Sequence, residues 1–170
     1  KQIAAEHQID LTDIPIIDPR DEQHDKKREF YGELFFAKRQ RKGFNHYESI
    51  KIMKERNHFG CMMVETGDAD AMISGLKRNY AEAIRPAIQT IGIEEGVKKI
   101  AGMYLLSTQK GPIFLADTTI NFNPTAEELV EITLLVAKEV RSFNITPRIA
   151  MLSYSNFGSS NSKEARLVAE

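Results

Sequence analysis

PIFLADTTINFNPTAEELVEITLLVAKEVRSFNITPRIAML, Pro112 to Leu152, is the stretch that decides the fold class. It opens on a short apolar run, the length and composition of a strand. A polar passage, ADTTINFNP, follows. Thr125 and Glu128 then stand in Thr-x-x-Glu spacing, where a hydroxyl caps the third amide of a helix and a carboxylate reaches back to the cap. Leu129, Ile132, Val136 and Val140 recur at helical spacing and give that helix an apolar face. Past Asn144 the chain returns to a second short apolar run, RIAML. Strand, helix and strand in this order predict an α/β arrangement.

The neighbouring segments extend the pattern. KKIAGMYLLST, ending at Thr108, reads as a strand joined to PIFLADTT through Gln109-Lys110-Gly111, so one antiparallel hairpin is expected. CMMVET, Cys61 to Thr66, and IPIID, Ile14 to Asp18, read as further strands. A helix is expected from Asp21 to Lys42, with Phe30, Leu34 and Ala37 as its apolar stripe and Tyr31 and Phe35 beside it. The basic run KRQRKG closes that helix, with Gly43 as its stop; positive charge is favourable there. Asn45 and Glu48 open another helix, carrying Tyr47, Ile50, Met53 and Lys54 and ending near His58. One more begins near Asn79 and contains Pro86, which predicts a kink or a restart. A last helix begins after Asn161. The expected architecture is a three-layer α/β/α fold with a mixed, largely parallel sheet, in which 1–45 form a flanking strand and helix and 46–170 an inner α/β domain.

Composition narrows the function classes. The 170 residues carry a formal charge of −1 and 42% hydrophobic residues, ordinary for a globular chain. That balance argues against nucleic-acid binding by bulk charge. A single cysteine, Cys61, excludes an internal disulfide and fits a reducing compartment, so a cytoplasmic location is expected. No apolar run reaches the roughly 18 residues of a membrane span. The sequence begins at Lys1 and stops at Glu170 within helix-like NSKEARLVAE, which reads as a piece of a longer polypeptide.

Three polar stretches follow expected strands: GDADAMISGLKRNY, ADTTINFNP and SYSNFGSS. Open α/β sheets bind ligands beyond the carboxyl ends of their strands. In the first stretch Ser74-Gly75 permits close backbone approach, and Lys77 and Arg78 bring positive charge to a helix start at Asn79 and Tyr80. An exposed helix entry explains the same residues. Asp68 and Asp70 fit either a Mg²⁺ site or a turn. In the second, Asp117 and Thr118 fit a ligand contact, a partner for Arg85 or Arg148, or turn chemistry. In the third, Ser153, Tyr154, Ser155, Asn156 and Gly158 fit a phosphate cradle or a long loop. His46 and His58, placed on one helix, lack metal spacing, and Cys61 reads as packing.

In combination these stretches resemble a known family. G-D-A-D-A-M-I-S-G followed by Arg85-Pro86, then D-T-T-I-N-F-N-P-T-A-E-E-L, then P-R-I-A-M-L-S-Y-S are similar to motifs of the phosphate acetyl/butyryl transferases, in the same order. The details KRQRKG, HFGCMMVETGDADAMISG, KRNYAEAIRP and LSYSNFGSS resemble the transacetylase-like domain that ends hybrid bacterial NADP-dependent malic enzymes. The resemblance implies an acyl-CoA and phosphate cleft lined by Ser74, Gly75, Lys77, Arg78, Asn79, Tyr80, Arg85, Asp117, Thr118, Ser153, Tyr154, Ser155, Asn156 and Gly158. It implies acetyl-CoA as an effector, amino-terminal malic enzyme domains on the same chain, and a homo-oligomer. NADP and Mg²⁺ or Mn²⁺ would belong to that other part. Lys77-Arg78-Asn79-Tyr80 replace the family's threonine-rich segment, and the family's catalytic cluster is expected beyond Glu170. A regulatory role is therefore expected, with phosphate acetyl transfer as the alternative.

Overall fold

The computed structural model describes residues 2–156 and 158–170; Phe157, in the last of the three polar stretches, lies outside the described residues. Two compact units divide the chain, Lys1–Gly92 and Ile93–Glu170.

The first unit is helical: α1 (Gln2–Glu6), α2 (Asp25–Arg39), α3 (His46–Ile52), α4 (Arg56–Glu65) and α5 (Tyr80–Thr90). The buried face of α2 consists of Arg28, Tyr31, Gly32 and Phe35, one position round from the expected stripe. Phe30 and Ala37 are exposed and Leu34 is only partly covered. Tyr31 and Phe35 take the interior because they meet Phe59 of α4, Met53 and Met62 in one cluster. The Tyr31 and Phe59 rings meet edge to face at 5.0 Å, as do those of Phe35 and Phe44. Gly32 sets the α2–α3 approach: a Cβ there would lie 2.7 Å from the Ile50 Cα. Arg28 is buried without loss because its guanidinium donates to the carbonyls of Pro19 and Asp21, at 2.6 and 2.7 Å.

Three expectations are corrected here. CMMVET is not a strand; Cys61 to Glu65 belong to α4. Its buried face includes the polar Asn57 and His58 beside Phe59, Cys61 and Met62, which hides the helical period behind an apolar run. IPIID forms no strand, and its isoleucines are exposed. The helix expected from Asn45 to His58 is two: α3, opened by the Asn45–Glu48 capping box, and α4, whose start is capped by Glu55. His46 and His58 therefore sit on different helices. The basic run has a defined task. Arg39 donates to the carbonyls of Gln89 and Ile88, at 2.6 and 2.5 Å, and Lys38 to that of Thr90, at 2.9 Å. Cations thus meet the carbonyl end of α5, where the helix dipole favours them. Asn79 caps α5, which continues through Pro86.

The second unit holds β1 (Met103–Thr108), β2 (Gly111–Ala116), α6 (Ala126–Ser142) and α7 (Lys163–Ala169). The hairpin forms as expected, with Met103 opposite Ala116 and Thr108 opposite Gly111. Gly111 has φ +111°, a conformation costly for other residues. Thr125 and Glu128 complete the capping box of α6, and Ile132, Ala137 and Val140 are its buried residues. Among the described residues the only sheet is this antiparallel pair. RIAML has no ladder partner. With Ile145 to Pro147, its residues Arg148 to Met151 instead line a cavity of about 380 Å³ with Ile113 and Phe114 of β2 and Ile132 and Val136 of α6.

Candidate functional site

The expected site residues divide between the two units. In the first, Ser74, Gly75, Lys77, Arg78 and Asn79 lie on the segment from Gly67 to Asn79 that links α4 to α5, and Tyr80 and Arg85 lie in α5. This segment is laid against α4 and its cap by Met72, Ser74 and Arg78. Met72 packs on Cys61, sulfur to sulfur at 3.6 Å. The Ser74 hydroxyl donates to the Asn57 carboxamide oxygen at 3.0 Å. Arg78 forms an ion pair with Glu55 at 2.6 Å. Ile73 and Leu76, between these anchors, are 100% and 97% exposed. Gly75 turns the chain at φ +118°. Asn79 is occupied as the cap of α5, accepting from the Glu82 amide at 2.9 Å. Lys77, Tyr80 and Arg85 are exposed.

Glu55 is the hub of this region. Its carboxylate accepts from the amides of Asn57 and His58, each at 3.0 Å, and contacts the His58 Nδ1 at 3.0 Å. The other ring nitrogen of His58 faces the Gln89 side-chain oxygen at 3.1 Å. Burial works against ionisation of Glu55, but the hydrogen bonds from His58 and Asn57 and the charge of Arg78 outweigh it, so its pKa is lowered. Cys61 sits beneath, and burial, with the Glu55 charge, pushes its thiol up to about 11. That thiol is not poised as a nucleophile. Asp68 accepts from Tyr31 and Thr66 and pairs with Lys27 at 3.3 Å. It is thereby engaged in the protein's own contacts. Among the described residues no three His, Cys, Asp or Glu side chains gather as metal ligands.

In the second unit Asp117 organises a turn. Its carboxylate accepts from the amides of Gly102, Thr119, Ile120 and Asn121, at 2.8, 3.2, 3.3 and 2.6 Å. The Asn121 side chain adds a further bond. Burial opposes its charge, but the amides of Asn121, Gly102 and Thr119 prevail and its pKa is lowered. Among the described residues of this unit, Arg148 is not a partner of Asp117. Thr118 donates its amide to the Gly102 carbonyl at 3.1 Å, and its hydroxyl oxygen is buried without a partner. The loop from Ser153 to Ser160 is fastened by its own hydroxyls. Ser153 accepts from the Ser155 amide and Ser155 from the Ser160 amide, both at 3.0 Å. Tyr154 and Ser160 share a hydroxyl contact of 2.9 Å. Asn156 accepts from the Ser159 amide through its carbonyl, and Gly158 turns at φ +77°.

Sequence reasoning missed Glu55, Asn57 and Gln89, and saw His58 only as a failed metal ligand. The available signal was E-R-N-H at a helix start, masked because glutamate is not among the preferred capping residues.

The helical unit, the capped α6 and the hairpin place the chain in the α/β class of phosphotransacetylases. The match to solved structures bears this out: EutD phosphotransacetylase from Staphylococcus aureus superposes with a TM-score of 0.81 at 27% identity, over 99% of this chain and 50% of that one. The phosphate acetyl/butaryl transferase family profile matches residues 1–170, and the chain belongs to that family. A phosphate acetyltransferase of Staphylococcus epidermidis is 33% identical over 172 residues, all of this chain and 50% of that protein. An NADP-dependent malic enzyme of Haemophilus influenzae is 44% identical over 108 residues, 64% of this chain and 14% of that protein. The chain thus spans 42% and 50% of the phosphate acetyltransferases of Bacillus subtilis and Staphylococcus epidermidis. Among the described residues no helix is long and apolar enough to cross a membrane.

Proposed function

We propose that the chain is an acetyl-CoA-sensing and assembly domain of an NADP-dependent malic enzyme, which decarboxylates malate oxidatively to pyruvate. The observation that carries this reading is the identity to the malic enzyme, 44% over 108 residues, against 33% over 172 residues for the phosphate acetyltransferase. Lys77-Arg78-Asn79-Tyr80 support it. They supply cations where an acyl-transferring relative is expected to carry hydroxyls. Lys77 and Arg78 follow Ser74 and Gly75 closely in the chain and, like Arg85, are exposed, a chemistry suited to the phosphates of an acyl-CoA. In the second unit, Asp117, Thr118 and the loop from Ser153 to Gly158 are proposed as further contacts to the acyl-CoA. The finer architecture belongs to the same proposal: RIAML enters a mixed, largely parallel sheet in a three-layer complete fold. The protein is cytoplasmic and homo-oligomeric, and NADP and a divalent metal bind outside these residues.

The test is malate-dependent NADPH formation by the complete protein during an acetyl-CoA titration. A saturable change that vanishes on deletion of these residues is expected. Malate oxidation indifferent to acetyl-CoA would overturn sensing.

A second reading is favoured by the match over the entire chain to the Staphylococcus epidermidis enzyme: a phosphate acetyltransferase moving acetyl groups between CoA and phosphate. CoA-dependent turnover of acetyl phosphate by the complete protein would establish it in place of the first.

A further inference from the structure

Arg78 has two claims on it. It is a cation suited to a ligand phosphate, yet it is already paired with Glu55 at 2.6 Å. Ser74, the hydroxyl of the same proposed site, is likewise turned onto Asn57 at 3.0 Å. Both groups belong to one strap, Gly67 to Asn79, pinned on α4 by Met72, Ser74 and Arg78. The strap has two pivots, one before its first anchor and one between the Ser74 and Arg78 anchors. Gly67 and Gly75 both sit at positive φ, +76° and +118°. Its closure is also imperfect. Asn57 is 6% exposed, and its side-chain nitrogen is buried without a hydrogen-bond partner. Lifting the strap gives that nitrogen water, which lowers the cost of opening. Ile73 and Leu76 already stand in solvent, so closure hides little apolar surface at those positions.

Glu55 is built to hold such a cation and to be displaced from it. One oxygen is committed to the α4 amides and to His58, while the other meets Arg78. Loss of the Arg78 contact leaves the helix cap intact. We propose that the strap is an autoinhibitory contact: Glu55 occupies Arg78 in the resting protein, and an anionic ligand must take Arg78 from it to bind. This rests on the reading of Arg78 as a phosphate contact. The arrangement makes Glu55 an internal competitor that sets the ligand concentration at which the domain responds.

Two variants of the complete protein separate the parts. Glu55→Gln removes the charge but keeps an acceptor for the α4 amides. Glu55→Asp keeps the charge and is a better helix cap, while withdrawing the carboxylate from Arg78. Two readouts are needed. Trypsin cleavage after Lys77 and Arg78, without ligand, reports strap opening. Calorimetric titration with acetyl-CoA reports competition. Both variants are expected to be cleaved several-fold faster and to bind acetyl-CoA about twofold to fivefold tighter than wild type, the scale of a partly exposed ion pair. Unchanged cleavage in both folded variants would overturn the strap. Faster cleavage with unchanged affinity would overturn the competition alone. No acetyl-CoA binding by any of the three proteins would overturn the reading of Arg78, and the competition with it.

Discussion

Tyr31 and Phe35 in the first unit have no exposed surface, whereas Tyr104, Leu105 and Leu106 of β1 are 53%, 45% and 44% exposed. The residue types are comparable; the company they keep is not. In the first unit α2, α3 and α4 present apolar residues from several directions to one cluster. In the second, a two-stranded ladder and α6 share few buried residues, and a cavity opens beside β2. An isolated hairpin is marginal in water, so β1 and β2 depend on what covers them. The difference teaches that local signals specify elements equally well in both units, while burial sets how strongly each is held.

Substitutions sharpen the contrast. Phe35→Ala should cost about 3–5 kcal/mol, because a buried ring leaves a cavity that its neighbours fill poorly. Leu106→Ala, made on a side chain already in contact with water, should cost under about 1 kcal/mol. Urea unfolding of each variant checks both, and equal costs would break the contrast. Gly32→Ala comes next, at about 1–3 kcal/mol. The added methyl meets Ile50 backbone atoms at 2.7 and 3.0 Å, so α2 and α3 must part. A neutral Gly32→Ala would show that their interface yields.

The Asp117 turn is the second unit's main polar network and is only partly buried. Its folded pKa is lowered, so the unfolded chain binds more protons in acid. Its stabilisation is complete above the unfolded value of roughly 4 and is lost as pH falls through the folded value. Amide exchange in β1 and β2 should accelerate below about pH 4, and Asp117→Asn should flatten that dependence while costing about 1–2 kcal/mol near neutrality. An acid response unchanged by Asp117→Asn would assign it to other carboxylates.

What was legible in the sequence follows the same division. The hairpin, α6, α5 and both capping boxes were readable because their signals are local: Thr125 with Glu128, Asn45 with Glu48, Asn79 before a helix, Gly111 in a turn. The strand at CMMVET was misread because tertiary contacts bury Asn57 and His58 beside Phe59, which erases the amphipathic period. The stripe of α2 was misplaced by one position because Gly32, a residue without hydrophobic weight, marks its closest contact. RIAML is unpaired, a state that composition cannot distinguish from a strand. Of the candidate site, Ser74, Lys77 and Arg78 were legible by type. Their anchors on Glu55 and Asn57 were not, since these lie about twenty residues earlier and act only through the fold.

The smallest effect is the most direct comparison, because one chemistry recurs in both units. Asn45 accepts from the Glu48 amide at 2.8 Å in the first, and Thr125 from the Glu128 amide at 3.3 Å in the second. In each, the glutamate returns a bond to the cap amide, at 3.2 and 3.1 Å. Asn45→Ala and Thr125→Ala should each cost about 1 kcal/mol. Packing, however, decides how far the loss spreads. α3 is short and leans on the core through Ser49, so uncapping should raise amide exchange across the whole helix. α6 is long, so exchange should rise in its first turn and stay unchanged near Val140. Fraying confined to the first turn in both helices would show that α3 is held by its contacts with α2 and needs no cap. Loss of protection throughout α6 would show that the second unit holds its main helix by local signals alone.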